Sequence, residues 1–134
     1  MGGRVYVDSN ILIYYVEGVP HLKQAAESVF DAYLAEGAVL ATSEITIGEC
    51  LRGVSESDGR LADDYRDLLA GDALLHLVPV TRRIIERAAA IGAEFRLKLV
   101  DAIHVATAET LGCQTFLTND RGIRAPAGIA IEAL

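Results

Sequence analysis

The first ten residues constrain the fold more than any other part of the chain. Val5, Tyr6 and Val7 are β-branched or aromatic, and they predict a short buried strand. Asp8 follows this strand directly, and the apolar run of residues 11–15 then begins a helix. The carboxyl end of a strand in an α/β protein borders the crevice where such sheets bind ligands. We therefore expect Asp8 to face a metal ion or a phosphate group.

Strands and helices are predicted to alternate along the rest of the chain. The later strands are predicted at residues 38–42, 74–80, 113–117 and 128–131. The helices are predicted at residues 10–16, 21–36, 45–54, 60–70, 82–96 and 100–111. This alternation predicts the α/β class, with a central parallel sheet of four to five strands and helices on both faces.

Hydroxyl and amide side chains stand where three of these helices are predicted to begin. Ser9 or Asn10 is expected to cap the first helix, and Thr42 or Ser43 the third helix. Thr81 is expected to cap the fifth helix. Each of these side chains can accept a hydrogen bond from a free backbone N–H group of the first helical turn.

The composition bounds the class of protein. The 134 residues are 51% hydrophobic, which predicts one domain over residues 1–134 that buries roughly two thirds of its unfolded surface. No apolar run approaches the roughly 20 residues of a membrane span, and the N-terminus lacks the apolar core of a signal peptide. We therefore expect a cytoplasmic protein. Cys50 and Cys113 form no C-x-x-C pair and predict two buried, reduced thiols.

The net charge of −7 argues against a broad basic surface of the kind that binds nucleic acid. It is compatible with a nuclease, because a group of carboxylates that holds divalent cations reverses its local charge when loaded. It also suits a binding module for a basic protein partner. The charge alone leaves both functions open.

Three further carboxylates have positions comparable to that of Asp8. Asp120 follows a predicted strand as Asp8 does, and the carboxyl ends of parallel strands share one edge of the sheet. Asp101 begins an otherwise apolar helix, where a carboxylate is costly without a partner. Glu49 lies inside the helix that follows the second strand. Glu44 competes with it, but the helix dipole is enough to explain an acidic residue in the first turn.

A group of four carboxylates calls for a cation. Two carboxylates about 5 Å apart repel each other by about 3 kcal/mol at an effective dielectric constant of 20. Hard oxygen ligands select Mg²⁺ or Mn²⁺. Such an ion lowers the pKa of a bound water and offsets charge on a phosphate, which is the chemistry of a metal-dependent phosphodiesterase.

Four motifs together resemble the PIN domain, in particular the VapC-like toxins of bacterial toxin–antitoxin pairs. They are V-Y-V-D-S-N at residues 5–10, T-x-x-E at 46–49, D-A-I-H-V-A-T-A at 101–108 and F-L-T-N-D at 116–120. The resemblance spans essentially the whole chain. It implies a PIN-like three-layer α/β/α sandwich and a Mg²⁺- or Mn²⁺-dependent endoribonuclease. It also implies that the catalytic and metal-binding residues are Asp8, Glu49, Asp101 and Asp120.

The same resemblance implies partners and additional site residues. The substrate would be RNA, cleaved by a metal-activated water to leave 5′-phosphate and 3′-hydroxyl ends. The protein would form a homodimer and be held inactive by a cognate antitoxin. The polar companions of the metal would be Ser9 or Asn10, together with Thr118 and Asn119.

Three basic residues near the motifs are weaker candidates. His104 lies one turn after Asp101 on the same helix face, but a lone histidine in an apolar helix is more often a hydrogen-bonded core residue. We expect it at most behind the metal ligands. Arg121 and Arg124 follow Asp120 and could contact phosphates. The alternative function that remains is a catalytically weak or inactive binding module for a basic partner.

Overall fold

The computed structural model describes residues 2–71 and 73–134, where strands and helices alternate as predicted. The strands in these residues are β1 (Arg4–Val7), β2 (Val39–Ser43), β3 (Leu75–Val78), β4 (Thr115–Leu117) and β5 (Ala130–Glu132). The helices are α1 (Ser9–Glu17), α2 (Pro20–Ala35), α3 (Ile45–Arg52), α4 (Gly59–Leu68), α5 (Arg82–Phe95) and α6 (Leu99–Thr110). Each observed element overlaps its predicted segment.

The strands form one parallel sheet in the order β3-β2-β1-β4-β5. β1 lies at its centre, where Tyr6 pairs with Ala41 of β2 on one side and with Phe116 of β4 on the other. The chain moves from β1 to β2 in one direction and later returns to place β4 on the opposite side. The carboxyl ends of β1 and β4 therefore flank the point where the strand order reverses, the usual location of a ligand site in such sheets.

Helices cover both faces of this sheet, which confirms the predicted three-layer α/β/α fold. Val5 and Val7 pack with residues of α1 to α4 such as Leu12 and Phe30. Tyr6 points to the opposite face and joins the core formed with α5 and α6. Successive side chains of a strand point to opposite faces, so a strand buried on both sides reads as a continuous apolar run.

The predicted caps of two helices need correction. α1 begins at Ser9, and its cap is Asp8, whose side chain accepts a hydrogen bond from the Ser9 backbone N–H. The prediction of Ser9 or Asn10 is therefore wrong by one or two residues, because the extended backbone of Asp8 already places its carboxylate at the helix start. α3 has Glu44 at its cap position without a side-chain cap bond, although the Ser43 hydroxyl accepts from Ile45 N–H at 3.1 Å.

Thr81 caps α5 as predicted, and its hydroxyl accepts a hydrogen bond from Ile84 N–H at 3.2 Å. Cys50 and Cys113 are buried free thiols, which also agrees with the prediction. Burial raises the pKa of Cys113 to about 11. Over residues 2–71 and 73–134, none of the helices has the length and apolar character of a membrane span.

Candidate metal centre

Asp8 lies at the carboxyl end of β1, and its position is held by hydrogen bonds to both carboxylate oxygens. Oδ1 accepts from Ser9 N–H at 2.8 Å. Oδ2 accepts from the Asn10 amide at 3.1 Å and from the Thr118 hydroxyl at 2.8 Å. The side chain is nearly buried, with 4% of the residue exposed. Three donors compensate this burial and fix the orientation of the carboxylate.

The polar residues after β1 and β4 are joined directly. Asn10 donates to the Thr118 hydroxyl oxygen at 3.0 Å and accepts from Asn119 N–H at 3.0 Å. Thr118 also accepts from Asp120 N–H at 3.0 Å. Asn119 Oδ1 accepts from Leu134 N–H at 2.8 Å, which connects the site to the residues after β5. The two loops therefore form one hydrogen-bonded unit around Asp8.

Glu49 of α3 meets His104 of α6 beside Asp8. Glu49 is half-buried, and its Oε1 forms a hydrogen bond with His104 Nε2. The same nitrogen lies 3.7 Å from Asp8 Oδ1. One potential ligand atom of each of these three residues lies within 4.8 Å of the other two. This spacing is compatible with a single bound ion.

The pKa of Glu49 is set by two opposing effects. Burial alone would raise it, but the hydrogen bond and charge of His104 lower it, and the net pKa lies below the usual value. The Ser9 hydroxyl and the Arg52 charge act in the same lowering direction. Glu49 is therefore an ionised carboxylate at neutral pH, the form that coordinates a cation.

Asp101 shows the opposite shift. It lies in the first turn of α6, where burial raises its pKa and the negative charges of Asp8 and Asp120 raise it further. The charge of His104 opposes this shift, whereas that of Glu49 adds to it. The repulsion shows that these carboxylates lie close enough to interact in one electrostatic environment. A bound divalent cation would relieve this repulsion.

An open pocket of about 600 Å³ connects these groups to solvent. Glu49, Asp101 and Asp120 line it, so three of the four predicted carboxylates border one cavity. Asp120 is exposed, and its Oδ1 accepts from Gly122 N–H at 2.8 Å. Asp8 does not line the pocket, but its charge raises the pKa of Asp101, and its Oδ1 lies 3.7 Å from His104 Nε2. The pocket is also lined by Ile45, Gly48, Arg52, Lys98, Leu99 and Val100.

Neither of the two predicted arginines lines this pocket. Arg121 lines a separate cavity of about 360 Å³ that shares Asp120 with the first. Arg124 donates from Nη1 to the Phe95 carbonyl at 2.7 Å, which gives it a structural partner at the end of α5. Glu44 is exposed and is absent from the residues that line the pocket. Its position at the start of α3 agrees with the helix-dipole explanation.

Three residues that contact or line the site are not among the site residues predicted from the sequence. The sequence predicts Tyr6 only as part of a strand, yet its hydroxyl hydrogen-bonds His104 Nδ1 at 2.5 Å. A buried tyrosine needs a partner for its hydroxyl, so its place two residues before Asp8 was an available signal. Arg52 lies three residues after Glu49, a spacing that places both on one helix face. Lys98 belongs to a group of basic residues between positions 82 and 98 that the sequence favours as a solvated helix face over a track for RNA. Its approach to the pocket depends on the turn between α5 and α6.

The donor set fits a hard divalent cation. Carboxylate oxygens dominate it, the carboxylates repel one another, and the His104 imidazole is the potential nitrogen ligand in the group that it forms with Asp8 and Glu49. The residues that would hold the ion are Asp8, Glu49, Asp101 and Asp120.

Comparisons with known proteins agree with this fold. The family model of the PIN domain matches residues 5–129. A chain of a toxin–antitoxin complex from Klebsiella pneumoniae is similar, with a TM-score of 0.70 and 28% identity over 94% of this chain and 95% of that chain. No curated protein sequence matches significantly.

Two other solved structures share the fold at lower identity. One is VapBC2 from Rickettsia felis bound to a promoter DNA fragment, with a TM-score of 0.70 and 16% identity over 98% of both chains. The other is FitAB bound to an IR36 DNA fragment, with a TM-score of 0.70 and 20% identity over 96% of this chain and 94% of that chain. The family match covers most of the sequence, and the fold has the sheet and helix layers expected of it. The chain belongs to the PIN domain family.

Proposed function

We propose that this protein is a metal-dependent endoribonuclease and the toxin component of a type II toxin–antitoxin pair. The observation that carries the proposal is the gathering of Asp8, Glu49, Asp101 and Asp120 in one electrostatic environment, three of them around one open pocket. The chain similar to this one in a toxin–antitoxin complex supports the toxin assignment. Mg²⁺ or Mn²⁺ is the proposed cofactor, because oxygen ligands dominate the site.

The residues of the chain have separate roles in this proposal. Asp8 is immobilised by three hydrogen bonds, so it can hold a cation without reorganising. Glu49 is kept ionised by its contact with His104. Asp101 and Asp120 complete the oxygen ligands from α6 and from the loop after β4. A bound divalent cation would supply an activated water and offset the charge of the scissile phosphate.

Arg52 and Lys98 are proposed to guide the RNA into the pocket. They line it together with Glu49, Asp101 and Asp120, so two cations stand beside the carboxylates. About half or more of the hydrogen bonds between proteins and DNA go to the phosphates and sugars, and arginine and lysine are among the side chains that make them. Leu99 is 56% exposed at the same pocket and offers an apolar surface to a base or to a protein partner.

Cleavage of RNA would occur in the cytoplasm, with a cognate antitoxin as the inhibitory partner and a homodimer as the assembly. A binding module without activity is the alternative, and its predicted behaviour differs. The module would keep most of its affinity for a basic partner after any one carboxylate is neutralised, because most of the negative charge remains. The nuclease would instead lose its metal ion and its activity.

Calorimetric titration with Mn²⁺ and a single-turnover RNA cleavage assay test the proposal together. Asp8→Asn and Asp101→Asn should each weaken Mn²⁺ binding and lower the cleavage rate by about 100-fold or more, as expected when a metal ligand is lost. EDTA should abolish cleavage by the wild-type protein.

Asp67→Asn is the matched control, because Asp67 is an exposed aspartate of α4 outside the pocket. It should leave metal affinity and cleavage unchanged. Circular dichroism verifies that each variant is folded. Unchanged metal binding in both site variants would contradict the metal assignment. Metal binding without cleavage of any RNA would favour the binding module.

A further inference from the structure

A buried chain of hydrogen bonds ends on Glu49. Ser43 of β2 donates its backbone N–H to the Tyr6 hydroxyl oxygen at 3.0 Å. The Tyr6 hydroxyl is 2.5 Å from His104 Nδ1, and His104 Nε2 contacts Glu49 Oε1. Tyr6 and His104 have no exposed surface. The chain thus runs from the middle of the sheet to the edge of the pocket.

The surroundings of Tyr6 hold it in place. Its ring stacks on Phe116 of the neighbouring strand with centroids 5.0 Å apart, and it meets the His104 ring edge-on at 5.7 Å. Burial raises the pKa of Tyr6 well above its usual value, and the nearby Asp8 charge adds to the shift. Tyr6 is therefore a neutral hydroxyl, with one proton to donate and an oxygen that accepts from Ser43.

Hydrogen-bond chemistry decides which nitrogen of His104 carries a proton. The Tyr6 hydroxyl oxygen accepts from Ser43 N–H, so its own hydrogen can be donated to His104 Nδ1. An imidazole that accepts at Nδ1 carries its hydrogen on Nε2, and Nε2 donates that hydrogen to the Glu49 carboxylate. Nε2 therefore has no lone pair to offer a cation, although it lies within 4.8 Å of the Asp8 and Glu49 oxygens.

We propose that His104 is a positioning residue and not a metal ligand. The chain of hydrogen bonds from Ser43 through Tyr6 directs the His104 Nε2–H group at Glu49. This hydrogen bond holds the Glu49 carboxylate so that its other oxygen faces the cation. The proposal rests on the metal site of the proposed function and goes beyond it by excluding the His104 imidazole from coordination. Partners of this kind behind a metal ligand typically contribute 10- to 100-fold in metal affinity.

Mn²⁺ affinity, measured by calorimetry, tests the positioning role. His104→Ala should weaken binding by about 10-fold or more, whereas His104→Gln, which keeps an N–H donor, should recover most of the loss. Tyr6→Phe should weaken binding by a smaller factor, because Glu49 keeps its donor but the imidazole loses its anchor. Tyr65→Phe is the matched control: Tyr65 is equally buried, and its hydroxyl bonds a different carboxylate, Glu17.

Spectroscopy of the wild-type protein decides the matter without variants. Long-range ¹H–¹⁵N spectra of the metal-free protein should show a protonated Nε2 on His104. Pulsed electron paramagnetic resonance of the Mn²⁺ form should show no directly bonded ¹⁴N.

An unprotonated Nε2, a bonded ¹⁴N, or a His104→Gln variant as weak as His104→Ala despite correct folding would each overturn the positioning role. Those results would leave the metal site itself intact. Absence of any Mn²⁺ binding by the wild-type protein would instead overturn the proposed function, and the positioning role with it.

Discussion

Asp101 illustrates, at the level of a single residue, how a candidate metal ligand can lower the stability of the metal-free protein. Its place in the first turn of α6 is favourable for a negative charge, by about 0.3–1 kcal/mol. Burial and the charges of Asp8 and Asp120 nevertheless raise its pKa, so the unfavourable effects exceed the dipole interaction. The metal-free protein thus carries a carboxylate that it would be more stable without.

Asp101→Asn should therefore stabilise the metal-free protein at neutral pH. Because the side chain is partly exposed, solvent screening limits the gain to about 1 kcal/mol or less. A carboxyl whose pKa is raised in the folded state binds more protons there than in the unfolded chain, so its penalty is complete above the folded pKa. The gain from the substitution should shrink as the pH falls towards about 4, the ordinary pKa of aspartate.

Urea denaturation in EDTA at several pH values measures this difference in the free energy of unfolding. In saturating Mn²⁺ the order should reverse, because a ligand at 100 times its Kd stabilises the wild-type protein by about 2.7 kcal/mol. A less stable Asp101→Asn variant in EDTA at pH 7 would contradict this prediction, because it would show that the ionised Asp101 side chain does not destabilise the metal-free protein.

The turn between α5 and α6 determines, at the scale of elements, where Asp101 lies. α5 ends at Phe95, and Arg96 follows in the left-handed region with φ of 56° and ψ of 51°. Leu97 N–H then bonds the Gly92 carbonyl at 3.0 Å, which closes the helix end. Arg124 bonds the Phe95 carbonyl from outside. The chain turns within three residues and starts α6 beside the pocket.

Arg96→Gly should raise the free energy of unfolding by about 0.5–1 kcal/mol, since glycine adopts the left-handed conformation without the penalty of a Cβ atom. Ala89→Gly is the matched control at an exposed interior position of α5 and should lower stability by about 1 kcal/mol. Both are measured by urea denaturation. An equal loss of stability in the two variants would mean that the arginine side chain itself supports the turn.

Charge distribution matters at the scale of the whole molecule. The net charge of −7 repels RNA, so RNA binding by the proposed nuclease would depend on where the cationic side chains lie and on a loaded metal site. Arg52 and Lys98 line the pocket, whereas Arg124 is engaged with a backbone carbonyl. Substitution of Arg52 or Lys98 should therefore lower the affinity for RNA, whereas substitution of Arg124 should not, although the sequence favours Arg124 as a phosphate contact.

Arg52→Gln and Lys98→Gln should each weaken binding of a short single-stranded RNA in Ca²⁺. Each should also reduce the slope of log K against log salt by about 0.7, the value for one phosphate contact with a single strand. Fluorescence anisotropy at several salt concentrations provides both quantities. Arg60→Gln, an exposed arginine of α4 that does not line the pocket, controls for the change in net charge. An equal effect of all three substitutions would indicate non-specific attraction.

Local patterns in the sequence are enough to predict the class of fold and the edge of the sheet at which the candidate site lies. Apolar periodicity is a local property, so the alternation of strands and helices could be predicted to within a few residues. Parallel pairing then requires Asp8 and Asp120 to share an edge. The position of Asp8 as a cap was missed, because it depends on the backbone angles at one residue.

Which side chains contact one another depends on the packing of elements that are distant in the sequence. Glu49 and His104 are 55 residues apart and belong to helices of different layers, so their contact depends on how α3 and α6 pack. The same packing brings Arg52 and Lys98 to one pocket and buries the hydroxyl of Tyr6 against His104. Periodicity reports which face of an element is buried. It carries no information on the partner found there, because that partner is set by the relative placement of elements distant in the chain.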